Sequence, residues 1–308
     1  MLFIDQWAFQ NTGLVNIELN SVIKLYSYEN EGGQFADCSK LTHVSMKSIQ
    51  YVGNFMFTNC SKLIYVDMPN VKEIEKHAFS RCNSFNNITF PKLKEIGFYS
   101  FSESNGITKL NLPSVIEIKS YSFYKCENLE KIKFSNCFTI SYSAFESCTK
   151  LKTIDLPKLT NLCPHAFANT NLVEVQLNSL MDNTEPVGSF SGCSKLTTVS
   201  MKKLQYIPYQ MFENCIQLAT IDFPLVKQIS EKAFIGCLSL KTAYFPRVIE
   251  IEMRAFSGNI MLSSINLPSI NIINEFAFQD CINLVYANLL NCALIKAFAF
   301  EGCIKPCK

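Results

Sequence analysis

Residues 57–78 read FTNCSKLIYVDMPNVKEIEKHA, and this stretch decides the fold because its pattern returns along almost the whole chain. Phe57 opens the unit, Cys60 follows three residues later and Leu63 six residues later. Pro69 comes twelve residues after the first phenylalanine, and the next unit opens at Phe79. One unit can be written F-x-x-C-x-x-L-x-x-I-x-L-P-x-V-x-x-I-x-x-x-A.

The opening phenylalanine recurs with a nearly constant spacing of 26, then 22 six times, then 23, then 22 five times. Self-similarity at a period of 20–50 residues is the sequence signature of solenoids and related arrays. The chain is therefore predicted to be one continuous solenoid, a single domain over residues 1–308, with about 13–14 coils. The recurring residues are Phe9, Phe35, Phe57, Phe79, Phe101, Phe123, Phe145, Phe167, Phe190, Phe212, Phe234, Phe256, Phe278 and Phe300.

The local pattern predicts how each coil is built. The L-x-x-I-x-L segment ends in alternation, which is typical of a short strand with one face buried. The following proline removes a backbone donor and turns the chain out of the sheet. A second apolar pair returns the chain, and a small residue before the phenylalanine lets its ring enter the interior. Because no single unit buries enough surface alone, stacking of neighbouring units must supply the core.

This pattern, from Trp7 to Cys303, resembles that of the BspA-like leucine-rich repeat family. The resemblance implies an α/β-type repeat solenoid: a curved, right-handed leucine-rich repeat array with a parallel β-sheet on its concave face. It also implies cell-surface proteins of mucosal bacteria and parasitic protists, some of them adhesins. Fold alone does not fix function.

Ten of the 14 cysteines share one position in the unit, three residues after the phenylalanine. We interpret them as small buried thiols, because a free cysteine is among the most buried residue types. The alternative is a disulfide framework, which needs an oxidising compartment. Thr12, Ser104, Thr170 and Asn259 replace cysteine at this position, so we also predict a hydrogen bond from it to a backbone group of the turn.

The outward residues of each predicted strand lie eight and ten positions after the phenylalanine, and we predict that they form the binding face. They make a nearly neutral, polar surface with a small basic spot, flanking acids and exposed tyrosines, and tyrosine is enriched at interfaces. The alternative is a merely soluble face, since Thr and Tyr also suit strands. The candidate partner-binding residues are Tyr65, Asp67, Lys109, Lys131, Lys133, Asp155, Glu174, Asp222, Tyr244 and Tyr286.

Composition and motifs narrow the function classes. The net charge is +2, which argues against a nucleic-acid partner, since such binding needs a basic excess. No glycine-rich phosphate loop, zinc-protease motif or serine nucleophile elbow occurs, so we predict no enzyme, no cofactor and no metal. No apolar run approaches the ~20 residues of a membrane helix.

We therefore expect a recognition module for a protein or glycan of unknown identity, with an intracellular protein–protein scaffold as the alternative. A cell-surface location is implied by the resemblance, whereas the chain shows no signal peptide or anchor, which leaves the cytoplasm as the alternative. Neither end carries a polar cap of the kind that repeat arrays need, so end-to-end self-association is a further expectation.

Overall fold

The computed structural model describes residues 4–23, 25, 33–86, 88–182 and 186–304. The chain divides into two compact units, residues 1–159 and residues 160–308. That the two units together form one continuous array stays a prediction.

The first unit consists of short strands of two classes. We call the three-residue strands first strands and the two-residue strands second strands. Its first strands form the sheets β1-β2-β4 and β11-β9-β7, and its second strands follow the order β10-β8-β6-β5-β3. The bounds are β1 Asn16–Glu18, β2 His43–Ser45, β3 Tyr51–Val52, β4 Tyr65–Asp67, β5 Glu73–Ile74, β6 Glu95–Ile96, β7 Lys109–Asn111, β8 Glu117–Ile118, β9 Lys131–Lys133, β10 Thr139–Ile140 and β11 Thr153–Asp155.

The second unit has the same two classes of strand. Its first strands form the sheets β13-β14-β16 and β18-β20-β22, and its second strands form β15-β17-β19-β21-β23. The bounds are β12 Asn161–Leu162, β13 Glu174–Gln176, β14 Thr198–Ser200, β15 Tyr206–Ile207, β16 Thr220–Asp222, β17 Gln228–Ile229, β18 Thr242–Tyr244, β19 Glu250–Ile251, β20 Ser264–Asn266, β21 Ile272–Ile273, β22 Tyr286–Asn288 and β23 Leu294–Ile295.

Strand pairing is parallel and follows the repeat. Val44 pairs with Val66 across β2 and β4, and Ile251 pairs with Ile273 across β19 and β21, in each case 22 residues apart. The predicted parallel sheet and its 22-residue spacing are therefore confirmed. Eleven turns carry a second strand, fewer than the 13–14 coils predicted, because parts of the remaining turns lie outside the described residues.

The core of each unit is a stack of phenylalanine rings, the phenylalanine column. Phe123 is fully buried between Phe101 and Phe145, with both ring centroids 5.1 Å from its own and interplanar angles of 1° and 4°. In the second unit, Phe256 lies in the same way between its neighbours Phe234 and Phe278, at 5.1 and 5.3 Å. The predicted interior position of this ring is confirmed.

A cysteine ladder runs beside the phenylalanine column. The Cys82 thiol donates to the carbonyl oxygen of Phe57, one turn back, at 3.1 Å, and the Cys60 N–H donates to the same oxygen at 3.1 Å. Ser104 and Asn259 make the equivalent bond with a hydroxyl and an amide group. The predicted hydrogen bond to the turn is confirmed, and the buried ladder cysteines are thiols, as in the first interpretation.

Left-handed backbone shapes each turn on both sides of the buried phenylalanine. Around Phe79 the φ angles of His77 and Arg81 are 56° and 60°, and the same two positions are left-handed in almost every other unit. Among the described non-glycine residues with positive φ none is Val, Ile or Thr, in agreement with the high cost of this conformation for β-branched side chains.

The expected α/β type is not confirmed by these turns. Two left-handed residues only four positions apart interrupt any right-handed helical run, and no helix occurs in the ranges that the structure describes. The fold is a parallel β-solenoid. It follows that no described segment is a helix long and apolar enough to cross a membrane.

The left-handed turns make a stability prediction. Ser147 has a φ of 60°, where glycine avoids a side-chain clash worth about 1 kcal/mol or more. We expect Ser147→Gly to raise the free energy of unfolding by about 1 kcal/mol in urea denaturation. Ser135→Gly is the matched control, because the φ angle of Ser135 is not positive, and it should lower stability. Equal effects of the two changes would contradict this account.

Candidate functional site

The ten residues predicted to bind a partner all lie in first strands, on either side of a central residue that points into the core. We call this surface of each unit its first-strand face. Eight of the ten are exposed, whereas Asp67 and Asp155 are half-buried. The outward orientation is as predicted, and the binding role stays a prediction.

Tyr65 and Asp67 form a ridge between two concavities of the first unit. One has a volume of about 510 Å³ and is bordered by β1 and β2, including Glu18, His43 and Lys47. The other has a volume of about 410 Å³, and its walls include Thr89 and Phe90 as well as the prolines Pro69, Pro91 and Pro113. Both volumes lie within the range of small-ligand sites and suit single side chains of a partner.

The second concavity lies between β4 and β7. Thr89, at the last first-strand position of its unit, is not in a strand, and residue 87 lies outside the described residues. Phe90 is buried and forms part of the floor.

The ridge carries an aromatic group and a charge. The Tyr65 ring lies 6.4 Å from the His43 ring, between centroids. The Lys47 ammonium lies 3.5 Å from the Asp67 carboxylate; Lys47 is exposed and Asp67 is half-buried. A surface ion pair of this kind contributes at most about 1 kcal/mol, so a partner could displace it at little cost.

The predicted basic spot is present on the neighbouring first-strand sheet. Lys109 and Lys131 lie side by side on paired strands, and Lys133 forms an ion pair with Asp155 at 3.1 Å. Neither Lys109 nor Lys131 has a carboxylate partner among the described residues. Because like charges directly opposite on neighbouring strands are destabilising, this pair favours an acidic group from outside.

The predicted residues of the second unit are more dispersed. Glu174 and Asp222 lie on the outer strands of one three-stranded sheet, and Ser200 donates to Asp222 at 3.0 Å. Tyr244 and Tyr286 lie on the outer strands of the next sheet and pair with different positions of its central strand. The structure therefore does not bring these four residues together.

Burial disfavours the reactive thiolate form of two ladder cysteines. Burial raises the pKa of Cys126 to about 12 and the pKa of Cys193 to about 11. Both thiols are protonated at neutral pH, whereas the thiolate is the reactive form.

Sequence reasoning missed the walls of the two concavities. His43 was visible as an outward residue, but its closeness to Tyr65 depends on the register of β2 and β4. The proline position was also visible, and nothing in its spacing indicated that Pro69, Pro91 and Pro113 would border a concavity.

The chain matches the family model of the BspA type leucine rich repeat region, in six copies over residues 1–86, 72–186 and 183–306. No curated protein matches this chain.

Several solved structures from bacteria have a similar fold. A leucine-rich repeat protein from Bacteroides ovatus is 24% identical, with 92% of each chain covered and a TM-score of 0.51. One from Eubacterium ventriosum is 20% identical over 96% of this chain and 84% of its own, with a TM-score of 0.52. A protein described as a leucine rich cell surface protein, from Faecalibacterium prausnitzii, is 22% identical over 93% and 82%, with a TM-score of 0.50. At these identities the likeness concerns the fold.

Proposed function

Because the chain belongs to the BspA-type leucine-rich repeat family, whose members generally bind proteins, we propose that it is a non-catalytic recognition module that binds a partner through its first-strand face. The observation that carries this proposal is the pair of concavities on either side of Tyr65 and Asp67. A partner protein inserts side chains into both, and an acidic group of the partner meets Lys109 and Lys131.

The polar chemistry of this face suits a protein, and a glycan is the alternative ligand. Tyrosine binds both, because its ring supplies apolar area and its hydroxyl a hydrogen bond. The setting that we propose is adhesion at a cell surface, in line with the description of the Faecalibacterium prausnitzii protein.

An intracellular scaffold is the second candidate, and the reduced, buried cysteine ladder favours it. Thiols persist in reducing compartments, whereas disulfides form in oxidising ones. Localisation of the native protein separates the two settings.

The first-strand face makes a binding prediction. Binders would be selected against the full chain from displayed random peptides and from a glycan array. We expect the combined variant Tyr65→Ala, Lys131→Glu, Lys133→Glu to weaken the selected binders at least about tenfold, as loss of hot-spot side chains does. Titration by fluorescence polarisation measures the change.

The matched control makes the same substitutions next to or in second strands, Tyr51→Ala, Lys72→Glu, Lys94→Glu. All three residues are exposed there, so both variants lose one tyrosine and reverse two charges. Thermal unfolding should be similar for both. If every binder tolerates the first variant as well as the control, the first-strand face is not the binding surface.

A further inference from the structure

The second concavity beside Tyr65, which we call the proline concavity, presents apolar rings to solvent. Pro91 and Pro113 in its wall are exposed, and proline has no N–H to donate. The Pro91 carbonyl oxygen accepts a hydrogen bond from the Ser114 hydroxyl at 3.0 Å. The Pro113 carbonyl oxygen accepts one from the Asn136 amide at 2.9 Å. The surface that these two prolines offer to a partner is therefore mainly that of their rigid rings.

The rim of the proline concavity is polar. Thr89 and Asn111 are exposed there, and the half-buried Asp67 supplies a carboxylate. An apolar wall with a polar rim suits an aromatic side chain, since a tyrosine hydroxyl or an indole N–H can bond at the rim while the ring packs on the wall. Contact between aromatic and proline rings also holds proline-rich peptides in aromatic-lined grooves, and here the prolines belong to the site.

Two lysines lie close to the proline concavity. Asn111 ends β7 and Lys109 begins it, and both side chains are exposed on the same face. Two residues of a strand span about 7 Å. Lys131 lies directly opposite Lys109 on β9, and neither has a carboxylate partner among the described residues. An anionic group placed between the two ammonium groups would relieve their repulsion.

We propose that the partner is a protein with an extended acidic segment, in which an aromatic residue and an Asp or Glu lie two to four positions apart. The aromatic side chain fills the proline concavity, and the carboxylate binds Lys109 and Lys131. An extended chain advances about 3.3 Å per residue, so this spacing covers about 7–13 Å, the distance from the concavity to the lysine pair. The proposal rests on the proposed function, because it requires the first-strand face of the first unit to be the binding surface.

The acidic residue of the partner has a defined side. Glu18 and Asp67 border the concavity on the far side of Tyr65, whereas the free lysines lie on the β7 side. A basic residue in place of the acid would face like charges, which oppose binding. Because both lysines are exposed, salt screens their attraction to the carboxylate, and affinity should fall as ionic strength rises.

Random peptides displayed on phage and selected against the full chain test the proposal. We expect the enriched peptides to carry Trp, Tyr or Phe with Asp or Glu two to four positions away. Fluorescence polarisation then compares a synthetic enriched peptide with two altered forms, one with the acid replaced by its amide and one with the aromatic residue replaced by alanine. Each altered form should bind at least about tenfold more weakly.

Variants of the chain locate the two contacts. Lys109→Gln, Lys131→Gln should weaken the enriched peptide at least about tenfold and leave the affinity of its amide form unchanged, because that form has no charge to lose. The control Lys72→Gln, Lys94→Gln removes two exposed lysines elsewhere and should bind like the native chain.

Filling the proline concavity tests the aromatic contact. Thr89→Trp places a large side chain at its rim and should weaken the peptide at least about tenfold. Thr220→Trp, at an exposed first-strand position of the second unit, is the matched control and should leave binding unchanged. Thermal unfolding checks that all variants fold.

Several outcomes overturn the proposal. Enriched peptides without the aromatic and acidic pair, or peptides that tolerate both the lysine and the Thr89 variants, contradict it. If such peptides still lose affinity for the variant Tyr65→Ala, Lys131→Glu, Lys133→Glu, only the chemistry of the partner is wrong and the first-strand face remains the binding surface. If they tolerate that variant too, the proposed function fails as well. A selection that enriches no peptide, with or without binding to anionic glycans on an array, also overturns the proposal.

Discussion

Phe123→Ala should lower the free energy of unfolding by about 3–5 kcal/mol. The ring is fully buried and stacks on Phe101 and Phe145 at 5.1 Å on each side. Its removal costs the buried apolar area and leaves a cavity that the neighbouring turns cannot fill, because their own hydrogen bonds hold them at the coil spacing. Phe101 and Phe145 also each lose a stacking partner.

Urea denaturation monitored by circular dichroism measures this loss. Phe98→Ala is the matched control, since Phe98 is 48% exposed and lies three residues before a ring of the column. We expect the control to cost less than about 1 kcal/mol. A Phe123 variant as stable as the control would mean that the column is not the main support of the turns.

Cys126→Ala should cost about 1–2 kcal/mol, because it removes the hydrogen bond from the thiol to the Phe101 carbonyl oxygen at 3.0 Å. The oxygen is buried and would keep only the bond from the Ser104 N–H. Cys126→Ser should be close to the native protein, since Ser104 already makes this bond with a hydroxyl at 2.7 Å to Phe79.

The alanine and serine variants differ by one oxygen atom, so the difference between their denaturation midpoints isolates the hydrogen bond. If both variants lose the same stability, the ladder is a packing feature and the bond contributes nothing. Because burial raises the pKa of Cys126 from 9.0 to about 12, its stabilising contribution should be complete below pH 9 and decrease as the pH rises towards 12.

The repeat could be predicted from sequence because each turn places a given position in the same environment. Fourteen occurrences of the phenylalanine establish the repeat period, which a single occurrence could not. The polar replacements Ser104 and Asn259 indicated the hydrogen bond of the cysteine ladder. Outward residues such as Tyr65 followed from the alternation in the strand. The α/β type came from the resemblance to a repeat family, and it is not confirmed, because no helix occurs in the described residues.

The concavities could not be predicted, because their walls depend on how neighbouring turns stack. Nothing in the sequence around Thr89 or the prolines indicated that these residues would border a concavity.

The left-handed pairs around the phenylalanine column restrict what the surface of the turns can become. Residues such as Arg81 and Lys125 have largely solvated side chains, yet their backbone excludes β-branched residues. An exposed side chain at these positions therefore cannot be replaced freely by any other residue type. The left-handed positions accept glycine and side chains that are not branched at Cβ. A binding surface that evolves at these positions would therefore lack valine, isoleucine and threonine.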